Sequence, residues 1–196
     1  MNATPTLTSI SSSATALCVG SSATITLNGL LASKNHTISY TVGGTAGTQS
    51  VNVTSNASGV ATFSTIALGT ANSGQTITIT NVTRTDVTPN CSFTPSSSNT
   101  AALPTVNAAS VGGSISGSAT ACTGTNSTAL TLSGYTGSIT KWQSSTDGST
   151  WSDIANVTTS LTATNLTTTT YYRAVVTSGV CSSANSTTAT VTVNNI

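Results

Sequence analysis

The chain contains no glutamate at all, and only three aspartates, four Lys or Arg and one histidine, so 4% of its 196 residues are charged. Ordinary soluble domains carry about 25%. This scarcity works against most enzyme chemistry, because general acid–base pairs and metal cages are built from the residues the chain lacks. The net charge of +1 comes from Lys34, Arg84, Lys141 and Arg173, which are scattered along the chain. They form no basic stripe, so no counterion release from a phosphate backbone is available and nucleic acid is not an expected partner. Apolar runs reach only a few residues, far short of the roughly 20 that span a bilayer. The start, MNATPTLTSI, has neither the charged region nor the apolar region of an export signal. If the chain is exported, its signal lies upstream and Met1 is an added start. Aromatic residues are 4% of the total, so any core must be mainly aliphatic.

What is abundant is the hydroxyl group, with 45 Thr and 33 Ser. Thr is β-branched and stiff, which suits strands, and its polar group can face water. Val, Ile and Leu recur at spacing two among these residues, the period of a half-buried strand, and no stretch shows helical periodicity. The first half reads as strands at about 23–30, 37–42, 49–54, 59–66, 75–83 and 101–106. The second half reads as strands at about 129–132, 139–144, 150–154, 161–165, 171–177 and 188–193. Short turns separate them, as in a two-layer sandwich. The segments SATALCVGSSATITLNG and GSATACTGTNSTALTLSG share one grammar, and Cys18 and Cys122 lie 104 residues apart. A domain of this type takes about 100 residues, so the length and the repeat together predict an all-β chain of two sandwiches, 1–105 and 106–196, with the boundary near Pro104.

The strongest local signal is KWQSSTDGSTWSDI. Asp147–Gly148 suits a two-residue type I′ turn, which pairs Thr146 with Ser149 and Ser144 with Trp151. Trp142 then becomes a diagonal neighbour of Trp151, and the two rings are expected to pack together. In TYYRAVV, Tyr172, Ala174 and Val176 share one face, while Tyr171, Arg173 and Val175 share the other.

The second half resembles the immunoglobulin-like repeats of very large secreted surface proteins of Bacteroidota. The likeness is carried by ACTGTNSTALTLSGY, KWQSSTDGSTWSDI and LTTTTYYRAVVTSGVCSSANSTTATVTV, in the family's order. The first half resembles a partner repeat through ALCVGSSATITLNG, HTISYTVGG, TQSVNVTSNASGVATFS and ITITNVTRTDVTPNCSF, without the tryptophan hairpin. The resemblance implies two tandem immunoglobulin-like β-sandwich domains, export by the type IX route, and a place in a long array of similar repeats. It also implies a role in cell-surface adhesion or gliding of the SprB-type kind. The family has no catalytic residues to carry over and no cofactor.

The cysteines, Cys18, Cys91, Cys122 and Cys181, fall two to each half, and none sits in a C-x-x-C pair or beside His36. Disulfides in an oxidising compartment are expected, and a metal is not. Two pairings stand. Cys18 with Cys91 and Cys122 with Cys181 keeps each bond within a half. However, the turn carrying the first cysteine and the turn carrying the second lie at opposite ends of a plain immunoglobulin order, a strand length of roughly 26 Å apart. A disulfide needs Cα atoms about 5.5 Å apart. The other pairing joins Cys18 to Cys181 across the junction of stacked domains, and leaves Cys91 and Cys122 for neighbouring repeats.

His36 is the only histidine, so any Ser-His-Asp or Cys-His mechanism must use it; its place at the start of a strand beside Lys34 predicts a surface residue. Asp147 is explained by its turn and Asp153 by the hairpin edge, and together with Asp86 they predict no paired-carboxylate cleft and no calcium clamp. Trp151, Tyr171 and Arg173 form a candidate ligand surface on which flat rings could stack on sugars. Ten N-x-S/T sequons follow from composition alone. The Thr167–Thr170 run reads as a lead into the next strand. The primary expectation is a non-catalytic spacer or adhesion repeat fragment of an exported bacterial adhesin or filament. Its partners would be neighbouring repeats, with surface glycans or other cells beyond them. The alternatives are a carbohydrate-binding module and an accessory domain pair of a secreted hydrolase.

Overall fold

In the computed structural model, residues 3–13 and 15–194 are described. Met1 and Ala14, the latter part of the first repeat signature, lie outside them. The chain is all-β, with a single 3-10 turn at Thr70–Asn72 among the described residues. It divides into two compact units, the first ending at Asn107 and the second beginning at Ala108. The division falls just beyond the Pro104 segment because a short strand, Thr105–Asn107, still pairs within the first unit.

The first unit comprises β1 (Ser9–Ser12), β2 (Ala16–Cys18), β3 (Thr24–Asn28), β4 (Asn35–Val42), β5 (Thr48–Thr54), β6 (Ala61–Ser64), β7 (Thr76–Arg84), β8 (Cys91–Phe93), β9 (Thr100–Ala102) and β10 (Thr105–Asn107). One antiparallel sheet runs β1-β3-β6. The other runs β5-β4-β7-β8, with β9 also on β7, and β10 pairs in parallel with β2. The alternation explains the layers. Ile25 and Leu27 of β3, Ile38, Tyr40 and Val42 of β4, and Ile77, Ile79 and Val82 of β7 all point into one core. A register shift between Ser39 and Tyr40 lets Val82 turn inward three residues after Ile79. The Tyr40 and Phe63 rings meet at 5.0 Å between centroids.

The second unit comprises β11 (Ser114–Ser116), β12 (Ala119–Cys122), β13 (Ser127–Ser133), β14 (Ser138–Ser145), β15 (Ser152–Ile154), β16 (Ser160–Thr164), β17 (Thr170–Thr177), β18 (Ala184–Asn185) and β19 (Ala189–Asn194). Its sheets are β11-β13-β16 and β12-β19-β17-β14-β15, with β18 on β17. In both units the opening strand is split: its first piece joins one sheet antiparallel, and its second crosses to run parallel to the last strand. Leu130, Leu132, Trp142, Tyr172, Ala174, Val176, Ala189 and Val191 make the core.

Trp142 is fully buried, and its indole N–H donates to the Thr158 carbonyl at 2.9 Å, so the polar edge is satisfied. The predicted hairpin register is not the one formed. Ser144 pairs with Ser152, and Trp142 with Ile154. The turn is wider because Ser145 Oγ accepts from the amides of Asp147 and Gly148, and the Asp147 carboxylate accepts from Ser149 and Thr150. A one-residue slip changes the face of every following side chain. Trp151 therefore leaves Trp142 and packs elsewhere.

Candidate functional site

Three places hold the residues singled out by sequence. The first is the cysteines. Cys91 and Cys122 are free thiols, the former half-buried and the latter exposed, while Cys18 and Cys181 are each disulfide-bonded. Pairing within each half is therefore absent. The strand order accounts for this, since in each unit the first cysteine and the second sit at opposite ends. Cys18 ends β2 opposite Asn107, where the chain leaves the first unit, and Val19 donates its amide to the Asn107 carbonyl at 2.8 Å. Cys181 follows β17, and its Sγ lies 3.2 Å from the carbonyl oxygen of Ala108, where the chain enters the second unit.

The second place is the end of the first unit that carries His36. The expectation of a surface strand-end histidine is overturned: His36 is 1% exposed, between Val53 on β5 and Arg84 on β7. Neither ring nitrogen makes a hydrogen bond. Burial lowers its pKa and the Arg84 charge works in the same sense, while the Lys34 backbone and the Asp86 charge oppose them without reversing the shift. Asp86 belongs to Arg84. The Arg84 Nε and a terminal nitrogen reach the two carboxylate oxygens at 2.6 and 3.2 Å, and Lys34 stands 3.7 Å away. This fork holds the Asp86 carboxyl below the usual range. His36 thus has no orienting carboxylate. Cys91 lies opposite Arg84 on the far side of β7 from β4, two strand spacings or about 10 Å from His36, too far for proton transfer between them. A polar groove of about 270 Å³ is lined by His36 together with Asn35, Asn52, Val53, Thr54 and Thr85, and of these only His36 is ionisable.

The third place is the outer face of the second unit. Tyr171 and Arg173 alternate outward from the buried Tyr172 and Ala174, as their order in β17 requires. The Arg173 guanidinium lies 4.1 Å from the Trp151 ring centre, and its Nε donates to Gln143 Oε1 at 2.7 Å. Gln143 Nε2 and Lys141 Nζ both reach Asp153 at 2.7 Å, and these two bonds lower the Asp153 pKa. Trp151, Arg173, Gln143, Asp153 and Lys141 form one linked row, with one face of the half-buried ring covered by a cation. Nothing in the sequence pattern revealed this row, because it depends on the wider turn that re-aims Trp151. Asp147, bound by two amides and the Ser145 hydroxyl, has its pKa strongly lowered, and its oxygens are engaged by the turn itself. Among the described residues no three of His, Cys, Asp or Glu gather closely enough to hold a metal ion. No helix is long and apolar enough to cross a membrane.

With that geometry in place, the class is a pair of immunoglobulin-like β-sandwiches. The family model described as "Domain of unknown function (DUF8696)" matches residues 111–195, the second unit. A comparison with curated proteins finds no match. Among solved structures, an I-band fragment of titin aligns over 100% of this chain and 67% of its own length at 15% identity, with a TM-score of 0.52. A 1.5-MDa bacterial ice-binding adhesin, in a structure concerned with host cell surface retention, aligns over 100% of this chain and 67% of its own at 13% identity and TM-score 0.49. Murine CEACAM1b aligns over 95% and 99% at 11% identity and TM-score 0.47. The titin likeness supports the fold and nothing finer.

Proposed function

We propose that the chain is a structural repeat pair from an exported bacterial surface adhesin or filament, serving to space and stiffen and performing no chemistry of its own. The observation that carries this reading is the oxidation pattern. Of four cysteines, Cys91 and Cys122 are free thiols while Cys18 and Cys181 are disulfide-bonded, and we infer by elimination that Cys18 and Cys181 are partners in one bond. Such a bond requires an oxidising compartment, in keeping with an extracellular setting. The neutral Ser/Thr surface and the repeated grammar of the two halves support an array element, and the likeness to Bacteroidota surface repeats supports secretion and adhesion. The covered face of Trp151 weighs against a sugar platform. Non-reducing peptide mapping with thiol alkylation tests the reading: a peptide joining Cys18 to Cys181, with Cys91 and Cys122 alkylated, is expected. A Cys18–Cys91 link would overturn it.

A further inference from the structure

The larger sheet of the first unit ends in an open edge. β5 closes one side of the order β5-β4-β7-β8, and no strand lies beyond it among the described residues. Its residues, TQSVNVT, pair with β4 at every position from Thr48–Thr41 to Thr54–Asn35, without the register shift found between β4 and β7. Ser55 donates to the Lys34 carbonyl at 3.0 Å, which sets the phase of the ladder. Val53, Val51 and Gln49 turn their backbone groups to β4, and Thr54, Asn52, Ser50 and Thr48 turn theirs outward, where among the described residues they meet no partner. Proteins usually blunt such an edge with charge, proline, a bulge or shortness, because a row of free backbone groups is a template for another strand. Two other edges show this blunting. β15 is short and its Asp153 is tied to Lys141, while in β16 the Ser160 carbonyl already accepts from Asn156 Nδ2 and Thr158 Oγ1. β5 has no charge, no proline and no glycine. Outer-face bonds keep it flat, with Thr54 Oγ1 donating to Asn35 Oδ1 at 2.8 Å and Thr37 Oγ1 to Asn52 Oδ1 at 2.7 Å.

We propose that β5 is a self-pairing edge, to which a second copy of this chain adds its own β5 antiparallel about a two-fold axis at Val51. The parity of the ladder selects this register. Outward-facing residues must meet outward-facing residues, and the register centred on Val51 is the one that uses all four. Thr48 then faces Thr54 of the second copy and Ser50 faces Asn52 of the second copy, each pair exchanging two hydrogen bonds, about eight in all. The side chains agree. Val51, half-buried at the rim of the core, meets its own copy in a non-hydrogen-bonded position at about 4.5 Å between Cα atoms. Ser50 and Asn52 complement each other as hydroxyl and amide, and β5 brings no charge to be set against its own image. The joint is isologous, so it closes at the dimer and does not propagate into fibres. It lies wholly within the first unit and depends on neither the Cys18–Cys181 bond nor the spacer role.

The test uses the whole chain with Cys91→Ser and Cys122→Ser, which removes stray thiols and keeps Cys18 and Cys181. Sedimentation equilibrium up to about 1 mM should show monomer and dimer, the weak association of a joint below about 1,200 Å². Ser50→Pro removes an outward N–H and leaves the bonds to β4 in place. Two hydrogen bonds are lost per dimer, about 2 kcal/mol together, so dimerisation should weaken about thirtyfold at tenfold per ~1.4 kcal/mol. Ser50→Lys leaves the backbone untouched, sets two like charges on the diagonal across the axis, and should weaken the dimer as well. Register is read by cysteine in the same background. Val51→Cys places two sulfurs across the axis within disulfide reach, while Ser50→Cys places them on a diagonal of about 7–8 Å, beyond it. In a glutathione redox buffer Val51→Cys should give a covalent dimer about tenfold faster than Ser50→Cys. A folded chain that stays monomeric at about 1 mM, or growth beyond the dimer, overturns the proposal. So does a dimer that Ser50→Pro and Ser50→Lys both leave unchanged, or cross-linking of Val51→Cys no faster than that of Ser50→Cys.

Discussion

If Cys18 and Cys181 are partners, as proposed, their bond determines how the chain answers a pull on its ends. Force applied at the termini passes from the N-terminal segment to Cys18, across the sulfurs, and out through the segment after Cys181. The 162 residues from Val19 to Val180, nearly all of both sandwiches, are taken out of the load path. An extended chain spans at most about 3.3–3.6 Å per residue, so about 550 Å of contour is locked away. Only the 17 residues before Cys18 and the 15 after Cys181 can lengthen, giving about 110 Å. Single-molecule extension, with handles on both termini, reads this directly. The oxidised chain is expected to give one small lengthening as β1 and β19 peel away, with no sandwich-sized steps. With dithiothreitol, or in Cys18→Ser, two large unfolding steps totalling about 550 Å more should appear. If the oxidised chain unfolds to the same contour as the reduced one, the sulfurs bridge nothing in the load path and the mechanical reading is wrong.

Three further outcomes follow from particular side chains. Trp142→Ala removes the largest fully buried side chain of the second unit and leaves the Thr158 carbonyl without its donor. It should cost about 3–5 kcal/mol in urea unfolding of that unit while the first unit's transition stays put; a loss under about 1 kcal/mol would contradict the packing. His36 has a folded pKa below its unfolded value, so the unfolded state takes up the proton more readily. First-unit stability is therefore full above pH ~6.5 and declines as pH falls below it, until the folded pKa is passed. Urea midpoints between pH 8 and 5 should show this slope, and His36→Leu should remove it; an unchanged slope in the variant assigns the effect elsewhere. The lowered carboxyls of Asp86, Asp147 and Asp153 act in a separate window, below the usual carboxylate pKa, where their stabilising charge is lost. A glycan array should be silent for the oxidised chain because Arg173 covers the Trp151 ring. Saturable binding abolished by Trp151→Ala would favour the carbohydrate-binding alternative.

Strands with two or more inward aliphatics could be read directly from period two: β3, β4, β7, β13 and β17 contain the pairs and triples that build the cores. The strands that sequence did not reveal are short and carry few apolar residues. β1 and β11 have only Ile10 and Ile115 among serines, and β12 and β18 have no aliphatic larger than alanine. Their positions are set by the sheet they complete. The hairpin register was misread for a different reason. Asp147–Gly148 is a strong turn signal in itself, yet the Ser145 hydroxyl and Asp147 carboxylate hydrogen-bond the backbone of a wider loop, and side chain–backbone bonding decides between the two. His36 was misplaced because a polar residue starting a strand usually faces water. Here its alternation phase matches that of Ile38 and Tyr40, and the phase prevails. The ends of the cysteine-bearing turns were legible, and so was the conflict they posed for bonds within a half.

Low charge and disulfide chemistry go together in this chain. Extracellular repeats that stiffen their connectors with calcium need several converging carboxylates, and ligation at 2.3–2.6 Å by six to eight oxygens is beyond a chain with three aspartates. Asp86 is held by Arg84 and Lys34, Asp147 by its own turn, and Asp153 by Gln143 and Lys141, so none is left to bind an ion. A disulfide needs no charge at all. The two solutions differ in what undoes them: a chelator loosens a calcium joint, while this one should be indifferent to chelators and yield to a thiol reductant. The contour released on pulling should therefore follow the redox potential of the buffer and not its divalent ion content.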